Sequence, residues 1–483
     1  VSDEGRRYRF PPLERRGLVL GFGGAQLAAL GSAALLAVMM IRTLPSLTGL
    51  LLAAIIVAAA GAAMCWTVAG RSPSAWLPVV VRWAWRRSTS PGQSDAPQRG
   101  FVADRGARWS GPAVKPPPAL AGIQLVEAPG GPGLEPLGVV VDSRTRTHAV
   151  AVAARGRSFS LLDPSDKQRR LAAWAAVLAG LCREGSPVYR VQWIERRGPG
   201  DRHALQRHVD ASGALSEGTC RQSYDELVSG AGPVGQYHQV LIVVAIRPRR
   251  GGAIWSGQPG MSPYTRLRRE LRLLQGQLDA AEVEVEGALT LPGLAAVIQG
   301  SVDPSRPAAP EASAPWPLAV DDGWSAYRTD GAWHATYWIA EWPRVEVGPD
   351  FLSPLLLGGV GHRRVSVVMA PVAPGEAARQ VEAARTADVA DEQLRRRAGF
   401  LATARHRRQA EGVVQREAEL AEGHGEFRFS GYVTVTVAER AELSDACAEV
   451  EQSARQANLE LRRLYGQQEA AFSWTLPLAR GLS

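Results

Sequence analysis

Lysine is almost missing from this sequence. Of its 55 basic residues only Lys115 and Lys167 are lysine, so chemistry built on a lysine amine has two places to be. A Walker-type phosphate loop needs GxxxxGK followed by Ser or Thr, because backbone amides cradle the phosphates while the lysine reaches the outer ones. Lys115 sits in VKPPP and Lys167 in SDKQR, and neither fits. Cysteine is scarce too. Cys65, Cys182, Cys220 and Cys447 stand far apart with no CxxC pair, which argues against structural zinc and against a disulfide framework. Cys182 and Cys447 fall on expected helices as small apolar residues. HExxH and GxSxG are absent, and His203 and His208, five apart, diverge around a helix. No catalytic, cofactor-binding or metal-ligating residues are assigned, and the expectation is a non-enzyme.

The charge that is present is unevenly placed. The net charge is +8, yet residues 1–100 carry 11 Arg against Asp3, Glu4, Glu14 and Asp95, so the remainder is close to neutral. A nucleic-acid-binding domain would carry its own basic surplus, and direct nucleic-acid binding has no support here. With 46% apolar residues over 483 positions, the chain can bury cores and has room for two to four folded units.

Two apolar stretches follow one another near the start, 17–41 and 47–68, joined by Arg42-Thr-Leu-Pro-Ser46. Each has the length of a bilayer-crossing helix, and a signal peptide is disfavoured because the first run is too long and a second follows at once. The expectation is a two-helix transmembrane hairpin in a cytoplasmic (inner) membrane. Arg6, Arg7, Arg9, Arg15 and Arg16 precede it and Arg71, Arg82, Arg86 and Arg87 follow it, which places both chain ends in the cytosol. Trp76, Trp83 and Trp85 stand among the last arginines, a composition suited to the lipid headgroup level. Membrane-anchoring residues are therefore Arg15, Arg16, Arg71, Trp76, Arg82, Trp83, Trp85, Arg86 and Arg87, within a segment 1–87.

Residues 88–120 read as a Ser-, Gly- and Pro-rich linker. A first mixed α/β unit is expected over 121–304. Leu137–Asp142, His148–Ala153 and Val188–Ile194 read as strands, and the run Val240–Ile246 as a strand covered on both faces at a sheet centre. Ser165-Asp-Lys-Gln168 is a capping-box pattern opening a helix, and Ser262-Pro263 opens another with the stripe Leu267, Leu271, Leu274 and Leu278. After a Pro-rich linker at 305–317, a second unit over 318–483 alternates strand and helix, with Glu376–Glu422 as a long helical region. That order is a split βαβ arrangement of ferredoxin-like type. Gly358, Gly359 and Gly361 in LLLGGVGHRR are read as a turn between strands, and Arg395–Arg397 with Arg405–Arg408 as parts of a solvated, mixed-charge helix.

Tyr8-Arg-Phe-Pro-Pro-Leu-Glu-Arg-Arg16 before the apolar stretches, and Trp474-Thr-Leu-Pro-Leu-Ala-Arg-Gly481 at the other end, resemble an actinobacterial family of conjugation-associated membrane proteins that occur with PrgI-like proteins. The second unit resembles the N-terminal domain of the VirB-type ATPases of type IV secretion, which ends in a similar Thr-Leu-Pro-Leu segment before the ATPase core. No Walker motif stands here to receive that family's nucleotide-binding residues. The resemblance implies a noncatalytic, membrane-anchored subunit that docks a separately encoded secretion ATPase, with the membrane and PrgI-like proteins as further partners and a homo-oligomer as an open alternative. Phe472, Trp474, Leu476, Pro477 and Leu478 are the expected ATPase contact. Two other readings stand beside it: a type VII secretion subunit, and a membrane-tethered transferase using acids such as Asp163, Asp321 or Asp322.

Overall fold

A computed structural model describes residues 8, 10, 24–44, 46–65, 71, 73–89, 116–130, 135–155, 159, 162–199, 222–223, 226–227, 236–247, 262–305, 315–359, 361–397 and 404–482. The chain divides into two compact units. One is helical and comprises Pro12–Gln93 with Tyr465–Gln467; the other comprises Val1–Pro11, Ser94–Leu464 and Gln468–Ser483.

The helical unit contains α1 (Gly24–Thr43), α2 (Leu47–Cys65) and α3 (Pro73–Thr89). Ala33, Ala37 and Ala53 are buried, while Leu35, Met39, Leu47, Leu50 and Ile55 are exposed. The expected transmembrane hairpin is corrected here: among the described residues no helix is long and apolar enough to cross a membrane. Residues 17–23 and 66–68 of the expected apolar runs lie outside the described residues, and α1 carries Gln26, Ser32 and Arg42. The multi-pass, inner-membrane assignment falls with it.

The other unit is mixed α/β around a 12-stranded sheet. Its first half runs β1 (Ile123–Ala128), β2 (Leu137–Asp142), β3 (Thr147–Arg155), α4 (Pro164–Leu181), β4 (Val188–Pro199), β5 (Gln236–Ile246), α5 (Pro263–Ala280), β6 (Glu284–Ala288) and α6 (Leu291–Val302). The second runs β7 (Asp321–Asp322), β8 (Tyr327–Arg328), β9 (Trp333–Glu341), α7 (Ser353–Leu357), β10 (His362–Val372), α8 (Pro374–Arg397), α9 (Ala404–Ala421), β11 (Glu426–Val437), α10 (Leu443–Gln456), β12 (Glu460–Arg463) and α11 (Gln468–Ser473). Every strand pairing is antiparallel. The sequence divides at 305–317, but the sheet does not, because β4 pairs with β10.

That pairing joins two halves built alike. The first half has the spatial order β6-β3-β5-β4 and the second β12-β9-β11-β10, and in each the second strand along the chain lies at the seam, the third inserts between it and the first, and the fourth pairs outside the first. Across the seam Ile194 lies opposite Ser366, and Arg196 opposite Arg364. One sheet face is covered by α4, α5 and α10, whose Val177, Leu274, Leu278, Cys447 and Val450 pack on Val191, Ile242, Val365 and Val433. The opposite face is covered by α6 and the C-terminal segment, with Leu294, Ile298, Phe472 and Leu476 against Ile194, Leu241 and Val243.

Local chemistry explains several boundaries. Ser262 caps α5, its hydroxyl accepting from the Tyr264 amide at 3.4 Å, and the stripe Leu267, Leu271, Leu274 and Leu278 is buried. α4 opens one residue before the expected capping box, because Pro164 suits the first helical turn and Asp163 precedes it without a side-chain cap bond. β5 lies between β3 and β4, and Leu241–Ile246 is buried on both faces. α8 and α9 enclose a small core of Val381, Ala384 and Val413; Gly412 lies inside α9, and Gly399 and Arg15–Arg16 lie outside the described residues.

Candidate functional site

The C-terminal segment lies across the seam. Phe472, Leu476, Pro477 and Leu478 are buried and Trp474 is half-buried, so the side chains expected to meet an ATPase face their own sheet. The segment is held chiefly through polar groups. The Gln192 amide donates to Ser366 Oγ at 2.9 Å, to the Trp474 carbonyl at 2.9 Å and to the Leu476 carbonyl at 3.0 Å, and its oxygen accepts from the Ala479 amide at 2.7 Å. Arg480 Nε donates to Asp142 Oδ2 at 2.8 Å and Nη1 to the Ala119 carbonyl at 2.6 Å. Burial alone would raise the Asp142 pKa, and the hydrogen bond and charge of Arg480 more than reverse it, so the carboxyl sits below its ordinary value. Arg190 donates to the Ala479 carbonyl at 3.2 Å and also to that of Leu482, and Tyr432 donates to the Gly481 carbonyl.

The N-terminal words fall on both units. Tyr8 forms a two-way backbone bridge with Val347, at 2.9 and 3.0 Å, and Phe10 packs between Trp342 and Phe351 with centroids 5.3 and 5.4 Å away. Of the expected anchoring residues, Arg71 stacks on Trp76 at 5.4 Å and Arg87 on Trp83 at 5.3 Å, while Arg86 Nη2 donates to the Gly466 carbonyl at 2.8 Å. Arg82 and Trp85 are exposed. Among the acids considered for a transferase, Asp322 Oδ1 accepts from the Glu469 amide at 3.1 Å and Asp163 precedes α4; neither belongs to the arginine cluster described next.

The most unusual chemistry lies where sequence reading placed none. The seam brings two Arg-Arg pairs into register, Arg196 against Arg364 and Arg197 against Arg363. Residues directly opposite in an antiparallel pair share a face, so one like-charged pair lies on each side of the sheet. All four arginines are buried, at 3–7% exposure. On the face of α10, Arg363 donates to the Leu355 carbonyl at 2.7 Å and approaches Glu449 at 3.5 Å. Arg197 has no hydrogen-bond partner on any of its three guanidinium nitrogens.

On the opposite face the compensation is thinner. Arg364 Nη1 donates to the Ser301 carbonyl at the end of α6, at 2.6 Å, and its guanidinium lies 4.7 Å from the Phe472 ring. Arg196 Nη1 donates to Gln239 Oε1 at 2.8 Å. Arg196 Nε, Arg364 Nε and Nη2, and His362 Nδ1 have no partner. Burial, followed by repulsion from Arg196, pushes the Arg364 pKa down to about 9; burial, followed by repulsion from Arg364 and Arg196, pushes His362 down to about 4. Arg363 is lowered to about 10 by burial and by Arg197. These directions report buried cations that lack counter-charge.

Arg196, Arg197, His362, Arg363 and Arg364, with Tyr237 and Gly300, line a small recess, partly open to solvent, with room for about one water. Two glycines let the surrounding side chains pack closely. A Cβ at Gly198 would run into His362 Nδ1 and Tyr237, and Gly359, at φ +83°, stands where a Cβ would collide with Glu449. The signal for this site is present in the sequence as Arg-Arg doublets inside strands, ERRG at 195–198 and HRR at 362–364. What sequence spacing does not supply is the pairing of two strands more than 150 residues apart.

Among the described residues no group of three His, Cys, Asp or Glu gathers as a metal-binding set. No protein-family model matches the chain, and no curated protein matches it.

Proposed function

We propose that this chain is a noncatalytic docking subunit of a conjugation-like secretion complex, in which it holds a separately encoded ATPase and contacts PrgI-like subunits. The observation that carries the reading is the helical unit. Its helices bury small residues, Ala33, Ala37 and Ala53, and present Leu35, Leu36, Met39, Leu47, Leu50, Leu51 and Ile55 outward. Contiguous exposed apolar surface of this kind marks an interaction site. The PrgI-like subunit is the proposed occupant, because the words around this unit are those that resemble the PrgI-associated family. The sheet unit takes the ATPase. Its repeated order supports reading each half as a split βαβ unit of ferredoxin-like type, the type expected of a secretion-ATPase N-terminal domain. The buried C-terminal segment moves the proposed ATPase contact from those side chains to the outer surface they help to brace.

The test is co-purification of the full chain with the neighbouring-encoded ATPase and PrgI-like protein. Leu36→Ser with Leu51→Ser should cut recovery of the PrgI-like protein at least tenfold while the ATPase stays bound and circular dichroism is unchanged. Equal recovery of the PrgI-like protein would reject the assignment of the helical unit, and failure to recover the ATPase with the unaltered chain would reject the docking role.

A further inference from the structure

The arginine recess goes beyond the docking reading and does not depend on it. Burying one guanidinium without a counter-charge is costly, and burying two side by side adds their repulsion. Arg196 and Arg364 do this on one face with one neutral acceptor each; Tyr237 is the group that acts on both, and no carboxylate is among the influences on either. Arg196 Nε, Arg364 Nε and Nη2, and His362 Nδ1 are unpaired, and all three residues line the same solvent-connected recess. The α6 carbonyl end at Ser301 offers part of a negative charge to Arg364, which leaves most of two positive charges unmatched.

We infer that this recess is a binding site for a tetrahedral phosphate-type oxyanion, held between Arg196 and Arg364 with His362 as a further donor. A doubly charged ligand with several acceptor oxygens can take the Nε and Nη2 donors of both guanidinium forks together and a ring N–H at another oxygen, a task for which a lone carboxylate has fewer acceptor sites. The neutral state of His362 suits it, since a neutral ring with its proton on Nδ1 donates without adding a third positive charge. The recess as it stands has room for about one water, so the oxyanion enters as the guanidinium forks part around it, and a nucleotide would enter by its terminal phosphate only. Phosphate free in solution and the phosphate end of a nucleotide are the two sources of this chemistry.

The test is titration of the full chain in phosphate-free buffer at pH 7.5 with inorganic phosphate in one arm and ATP in the other, followed by calorimetry and by thermal unfolding. Saturable binding in either arm is expected, and the tighter arm identifies the source. Arg196→Met and Arg364→Met should each weaken it tenfold or more, while Arg385→Gln, on the exposed face of α8, should leave it unchanged. Arg196→Lys keeps the charge and removes the fork, and should fold normally with several-fold weaker binding; it decides the matter if a methionine variant does not fold. Absence of saturable binding in both arms overturns the inference, and so does binding equal to wild type in Arg196→Lys and in whichever methionine variants fold.

Discussion

The two halves of the sheet unit share an order of elements but differ in what they present to the C-terminal segment. In the first half that face is apolar on β3 and β5, where Ala149, Ala151, Ala153, Leu241, Val243 and Ala245 are all buried, and β4 alone adds the polar Arg190 and Gln192. In the second half the corresponding face is polar. His334, Thr336, Thr434 and Thr436 are buried at 3% exposure or less, linked by Thr336 to Thr434 at 2.9 Å and by Thr329, His334 and Thr436 at 2.8 and 2.9 Å, with Thr434 reaching Thr475 at 2.9 Å. One backbone plan thus supports two kinds of interior. Apolar packing is non-directional and tolerates small shifts, whereas a satisfied hydrogen-bond network fixes one arrangement. The segment is pressed against β3 and β5 and registered by β4 together with the second half.

The contrast can be broken most strongly where the segment returns to the first half. Arg480→Met leaves the Asp142 carboxylate buried without its partner and should cost about 4 kcal/mol, read as a lower urea midpoint; an unchanged midpoint would show that the segment needs no ionic anchor there. Ile194→Ala, in the apolar interior, should cost about 3 kcal/mol through lost burial and the cavity left behind, whereas Ser366→Ala, directly across the seam, should cost about 1 kcal/mol, since its hydroxyl bonds only to Gln192 and the Trp474 carbonyl. Equal losses would erase the difference between the halves.

Acid should act mainly on the second half. His334 is held well below its ordinary pKa by burial and then by Arg364, and His362 is lowered to about 4. The unfolded chain therefore takes up these protons first, near pH 6.5, so stability falls as pH drops from about 6.5 toward 4 and is fully present above that window. At pH 5 the expected loss from His362 is about 2 kcal/mol, and His362→Asn should flatten the slope between pH 7 and 5 in urea titrations. A first-half contribution comes from His148, which burial also lowers. The smallest effect is expected from Thr336→Val, about 1 kcal/mol, measured against Val243→Ala in the apolar half.

The parts of this architecture that show in the sequence are those governed by local period and capping. The run Val240–Ile246 identifies an interior strand, and the leucine stripe after Ser262 identifies α5, because burial on both faces and burial on one face leave different patterns. The parts that do not show depend on partners distant in the chain. β4 alternates as though one face were wet, since Arg190, Gln192 and Arg196 share a side; in the structure Gln192 is fully buried because its four bonds to Ser366 and the C-terminal segment replace water. Arg196 and Arg197 read as strand-end surface charge until β10 supplies Arg363 and Arg364 opposite them. Phe472 to Leu478 look like an adhesive tail for the same reason: apolar residues announce burial without naming what buries them.

One side chain completes the sheet as though it were backbone. Gln468 Oε1 accepts from the Thr336 amide at 2.8 Å, and its Nε2 donates to the carbonyls of Thr336 at 3.2 Å and Leu464 at 2.9 Å. It fills a missing rung on β9 between the stretch that pairs with β8 and the stretch that pairs with β12. A rung made of a primary amide is exposed to a chemistry that peptide rungs escape. Deamidation of this one residue would set a carboxylate oxygen against two carbonyl oxygens, so the protein carries, in an interior that excludes water, a bond whose survival depends on that exclusion and whose loss would act as a molecular clock of ageing.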